Sequence, residues 1–189
     1  YFLSHTWEES KDTARRKFEA LKEFKKDFKD RRRRYPRIWF DKVCVPQNNQ
    51  IDKDRAIAVL PITVALCDKF LVLLTPNYLK RLWCIWELFS LFIFAKKEVA
   101  IKRLEVLSVD DDEKLDDVAE KVEEVKPREK GLKKLKDQIE NFNINDAHCY
   151  DPNEELKLRK LLYEVGDDRI RAIKDEIIAM VERELRTLL

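Results

Sequence analysis

Phe70-Leu71-Val72-Leu73-Leu74-Thr75, followed after Pro76 and Asn77 by the long apolar stretch Leu79 to Phe94, decides how this chain is read. The first run is almost wholly apolar and bounded by turn formers, which is the pattern of a strand buried on both faces. The second is nearly as apolar but far longer, so it suits a helix enclosed by other elements. A doubly buried strand feeding such a helix implies an α/β domain with a parallel sheet.

Upstream, Tyr1 to Ser4 reads as a first strand, and Asp12 as the N-cap of a helix running through about Arg32. Pro36 breaks that helix, and Ile38, Trp39 and Phe40 form a second strand that ends at Asp41. Asp41 to Gln50 reads as a loop, and Asp54 to Cys67 has helical spacing. Downstream, a fourth strand is expected within Val99 to Val109, and a charged helical segment from Asp110 to Asn141. Ala147 to Tyr150 reads as a short fifth strand. Pro152 and Asn153 then open a helix that Gly166 ends, and Asp168 to Leu189 places Ile170, Ile173, Ile177, Val181 and Leu185 at helical spacing. The expectation is one domain over residues 1–189, with a five-stranded parallel sheet in the flavodoxin-like order 2-1-3-4-5, helices on both faces and an extra C-terminal helix.

Composition removes several function classes. A chain of 189 residues with 44% hydrophobic content suits one core, and 39 Lys+Arg against 37 Asp+Glu leave a net charge of only +2. Nucleic-acid binding is therefore not expected, and the Lys25 to Arg34 stretch with its Arg31 to Arg34 run reads as a solvated face. Cys44, Cys67, Cys84 and Cys149 are widely spaced with no CxxC pair, so no metal site is expected and the thiols read as reduced, which points to the cytoplasm. Leu82 to Ala95 is too short, and too interrupted by Glu87, to span a bilayer. Only two glycines occur, which excludes both GxGxxG and GxxxxGK[ST] phosphate loops. So few glycines beside so many Lys, Glu and Asp also resemble a redesigned surface. The start at Tyr1, without an initiator methionine, suggests a domain excised from something longer.

Within Leu82 to Phe94, Glu87 is the single ionisable carboxylate. Burying it bare costs several kcal/mol or more, so it is paired, hydrogen-bonded, or set at a cavity wall. On the residues alone two readings stand: a structural pair, for example with His5 or a loop amide, and a functional acid. Trp83 lies one turn away on the same helix face. In the expected strand order the crevice opens beyond Ser4 and Thr75, where the first and third strands separate. Ser4-His5-Thr6-Trp7 and the helix after Thr75 would line it, with the Asp41 to Gln50 loop as a lid.

Three blocks carry a family resemblance: Phe2-Leu3-Ser4-His5, Trp39-Phe40-Asp41, and Leu73-Leu74-Thr75-Pro76-Asn77-Tyr78 leading into Trp83-Cys84-Ile85-Trp86-Glu87-Leu88. Together they resemble the TIR (Toll/interleukin-1 receptor) domain, especially its plant and protist types, over Tyr1 to about Ala95. The last block is the most specific. The resemblance implies that Glu87 is the catalytic glutamate of an NAD-cleaving member, which breaks the nicotinamide–ribose bond with hydrolysis or cyclisation of the ADP-ribosyl group. NAD is then substrate and no cofactor is implied.

The resemblance also implies substrate contacts from Ser4, His5, Thr6, Trp7, Asp41, Lys42 and Trp83, homotypic self-association, and a place in innate-immune or stress signalling. Two departures stand out: Thr6 and Trp7 occupy positions where many active members carry basic residues, and the Asp41 to Gln50 loop lacks a frequent glycine. A non-catalytic interaction module is the alternative the family allows.

Overall fold

The computed structural model describes residues 1–7, 10–46, 48–109 and 127–188; residues 110–126, which open the charged stretch expected to be helical, lie outside the described residues. Strand β1 (Phe2–Ser4) leads through loop residues 5–7 to helix α1 (Lys11–Arg32). Ser10, not Asp12, caps α1: its hydroxyl accepts from the Thr13 amide at 3.1 Å. Phe24 and Phe28, one turn apart, give α1 its inner face and pack on Leu3, Leu71 and Leu73.

Strand β2 (Phe70–Leu74) is buried at every residue, as its uninterrupted apolar sequence requires. Its alternate residues Phe70, Val72 and Leu74 face the larger core, built with helix α4 (Leu82–Phe94), while Leu71 and Leu73 face α1. A single 3-10 turn, Tyr78–Lys80, joins β2 to α4. Strand β3 (Leu104–Ser108) follows helix α5 (Lys97–Arg103), so the expected fourth strand occupies only the second half of Val99 to Val109. Helices α6 (Pro127–Glu140), α7 (Pro152–Val165) and α8 (Asp167–Leu188) complete the larger core, with Ile170, Ile173, Ile177 and Val181 forming the buried stripe of α8.

The expected five-stranded, flavodoxin-like sheet does not form. Among the described residues the sheet has three parallel strands in the order β1-β2-β3, and helices account for most of the chain. The second expected strand shrinks to one bridge between Trp39 and Phe2. Trp39 accepts from the Leu3 amide at 3.1 Å and donates to Tyr1 O at 2.8 Å, but Phe40 then becomes the N-cap of helix α2 (Asp41–Cys44) and the chain leaves the sheet. The supposed loop thus holds this short helix, and helix α3 (Gln50–Leu66) starts at its end.

The fifth expected strand also comes down to one bridge, and its partner is Arg81, at the start of α4, rather than β3. Asp151 caps α7 immediately afterwards and Pro152 fixes its first turn, so no length remains for a strand. The rings of Trp39, Phe2 and Phe70 stack in sequence, with centroids 4.7 and 5.1 Å apart. Such a pair contributes about 0.5–1.5 kcal/mol beyond burial, so the Trp39 ring adds to its two backbone hydrogen bonds in holding it to the sheet edge.

Candidate functional site

A cleft with a volume of about 630 Å³ opens beyond the carboxyl end of β1, and Glu87 stands in its wall. That size lies within the range that encloses small organic ligands. The β1 loop contributes His5, Thr6 and Trp7; α2 contributes Asp41; α3 contributes Lys53; and α4 contributes Trp83, Cys84 and Glu87. Tyr150, Asp151 and Glu154, from the start of α7 and the residues before it, form the remaining wall.

Glu87 is 5% exposed. Its Oε2 accepts the Ser4 hydroxyl at 2.5 Å, and Ser4 in turn lies 2.5 Å from the Tyr78 hydroxyl. With Glu87 ionised, the only consistent proton order runs from Tyr78 to Ser4 to Glu87, because a carboxylate can only accept. Among the described residues no lysine, arginine or histidine pairs with this carboxylate. Burial pushes its pKa well above the ordinary value; the Ser4 hydrogen bond pulls it back, and the nearby negative charge of Asp41 adds to the rise. Burial, with help from Glu87, also raises the Cys84 thiol.

The Asp41 carboxylate organises the mouth. Its Oδ2 accepts the Trp7 indole N–H at 2.6 Å, and its Oδ1 accepts the Lys42 amide at 2.8 Å and lies 3.3 Å from His5 Nε2. His5 Nδ1 donates to the Thr6 carbonyl at 2.8 Å. Thr6 is fixed from below by Lys17, a buried cation on α1 whose Nζ donates to its carbonyl and hydroxyl oxygens at 2.7 and 2.6 Å. The bonds to the Asp41 carboxylate and from the Lys17 ammonium are charge-assisted, and such bonds are about twice as strong as neutral ones. The loop is therefore pre-set before any ligand arrives.

Of the residues singled out in the sequence, His5, Thr6, Trp7, Asp41, Trp83 and Glu87 line the cleft together. Ser4 and Lys42 are placed differently. Ser4 is fully buried behind Glu87, and the Lys42 ammonium sits 4.6 Å from the Trp7 ring centroid, on the indole rather than among the lining residues. Trp83 is held by its indole N–H, which donates to Glu154 Oε2 at 2.9 Å.

Sequence reading missed Lys17, Lys53, Arg81, Tyr150 and Glu154. Arg81 left a usable signal, a cation at the start of a helix, where the macrodipole disfavours one. Glu154 left none, because its role depends on α7 closing against α4 from far along the chain.

Cys44, Cys67, Cys84 and Cys149 are all unpaired thiols. Among the described residues no group of three or more His, Cys, Asp or Glu could hold a metal ion, and no helix is long and apolar enough to cross a membrane. No family model, curated protein or solved structure matches the chain.

Proposed function

We propose that this chain is a TIR-type domain that cleaves the nicotinamide–ribose bond of NAD, with Glu87 as the catalytic carboxylate. The observation that carries the reading is an acid buried in an apolar helix, facing a ligand-sized cleft and lacking a cation partner among the described residues. A carboxyl held this way is strained toward its neutral form until a positive charge enters beside it. Nicotinamide bound to ribose is such a charge.

In the reaction the C1′–N bond breaks, its electron pair neutralises the pyridinium nitrogen, and the ribosyl carbon becomes cationic. The Glu87 carboxylate stabilises that cation much as a glycosidase carboxylate does. Water adds at C1′ and loses a proton, giving ADP-ribose; attack by a nucleophile of the ADP-ribosyl group itself gives a cyclic product instead. The leaving group departs neutral, so no general acid is required. Trp7 and Trp83 supply flat apolar walls for the rings.

Self-association in the cytoplasm, in innate-immune or stress signalling, belongs to the same reading. It is supported by Ile62 and Leu66 on α3 and Val43 on α2, which are 60%, 81% and 80% exposed. The same residues favour the second reading, an interaction module without activity. Incubating concentrated protein with NAD and measuring free nicotinamide separates the two. Steady release supports the enzyme; none, at concentrations where the protein self-associates, leaves the module.

A further inference from the structure

The charges around the cleft are distributed unevenly, and among the described residues one of them has no ion-pair partner. Its basic lining groups are His5, Lys53 and Arg81. His5 faces Asp41 at 3.3 Å, and Lys53 pairs with Glu154 at 3.6 Å. Among the described residues no carboxylate pairs with the Arg81 guanidinium.

Its setting makes an unpaired positive charge unfavourable. Arg81 is only partly exposed and is the N-cap of α4, where aligned peptide dipoles repel a cation. The backbone fixes it there: its bridge to His148 is closed by the Leu82 amide donating to His148 O at 3.2 Å and by the His148 amide donating to Lys80 O at 3.0 Å. An anion bound at Arg81 would offset both the unpaired charge and the dipole. Along the helix axis Arg81 precedes Glu87 by six residues, about 9 Å at the usual rise, so both ends of one extended ligand can be held in the same cleft.

Resting on the reading of Glu87 as the catalytic acid, we infer that Arg81 anchors the phosphate of the substrate. The site then takes pyridine nucleotides bearing a 5′-phosphate or diphosphate and discriminates against the phosphate-free nucleoside. The guanidinium fork binds two phosphate oxygens at once, while Glu87 faces the ribosyl carbon. Because the phosphate does not change during glycosidic cleavage, Arg81 contributes to binding and placement and is not a catalytic residue.

The test compares NAD, nicotinamide mononucleotide and nicotinamide riboside as substrates for the wild type and for Arg81→Gln and Arg81→Lys. Binding of ADP-ribose and of inorganic pyrophosphate to the same proteins is measured by calorimetry. Arg81→Gln is expected to lower kcat/KM for the two phosphorylated substrates about 10- to 100-fold, mainly through KM, and to leave the riboside unchanged, with Arg81→Lys between. ADP-ribose affinity should fall by a similar factor. Equal losses on all three substrates, or no loss on any, overturn the assignment. If NAD is not cleaved at all, the binding arm still decides: ADP-ribose bound by the wild type and lost in Arg81→Gln upholds the anchor, and no binding of either probe to the wild type refutes it.

Discussion

The Ser4 hydroxyl is placed between two buried groups, 2.5 Å from Glu87 Oε2 and 2.5 Å from the Tyr78 hydroxyl, so the end of β1 and the middle of α4 share one line of hydrogen bonds. This line sets how easily Glu87 ionises. Burial favours the neutral acid, and the Ser4 hydrogen bond favours the carboxylate.

Ser4→Ala removes the bond that favours ionisation, so the Glu87 pKa rises further. The acidic limb of the kcat/KM profile for NAD cleavage, which reports the free enzyme, should lie above the ordinary glutamate range in the wild type and move higher in the variant. The Tyr78 hydroxyl, fully buried, loses its partner as well, which costs about 1–3 kcal/mol of stability. A limb at the same pH in both proteins would contradict this account.

Glu87→Gln should stabilise the fold in a pH-dependent way. Below the unfolded-state value, 4.5, both states of the wild type hold the proton and no penalty exists. As pH rises the unfolded chain ionises first, and the wild type loses stability until the pH passes the raised folded value. Glutamine does not titrate. The Tm of Glu87→Gln minus that of the wild type is therefore small near pH 4 and grows toward pH 8; in a chain of this size each 1 kcal/mol reads as roughly 2–4 °C. A variant less stable than the wild type at pH 8 would mean that the acid has a structural ionic role.

Gly131→Ala tests how closely α6 sits on the sheet. A Cβ there would run into the Val106 carbonyl oxygen and press on Val106 Cβ at 3.0 Å. Alanine gains about 1 kcal/mol of helix propensity, but forcing backbone apart costs about 1–3 kcal/mol, and a carbonyl oxygen in β3 cannot swing aside. Thermal unfolding should show a net loss; an unchanged or higher Tm would contradict the close approach.

What could be read from the sequence depended on range. The β2 run and the α4 stretch announce themselves, because burial on every side leaves an unbroken apolar pattern, and Glu87 is visible as the one exception to it. Trp39 misled because a β-forming triplet cannot reveal that Phe40 will cap a helix instead of pairing. His148 misled in a similar way, since its backbone pairs with Lys80 and Leu82 at the start of α4, far back along the chain, rather than with β3. The half of the cleft built by the β1 loop and α4 was therefore legible, and the wall built by Tyr150, Asp151 and Glu154 was not.

The most direct measurement is nicotinamide release from NAD by wild type and Glu87→Gln at equal, self-associating concentrations, with folding of both verified by circular dichroism. The account expects steady release by the wild type and a loss of about 100-fold or more in the variant, the scale of removing a group that stabilises transition-state charge. Release by Glu87→Gln within a few-fold of the wild type would show that the chemistry lies elsewhere, and the assignment of Glu87 would be wrong.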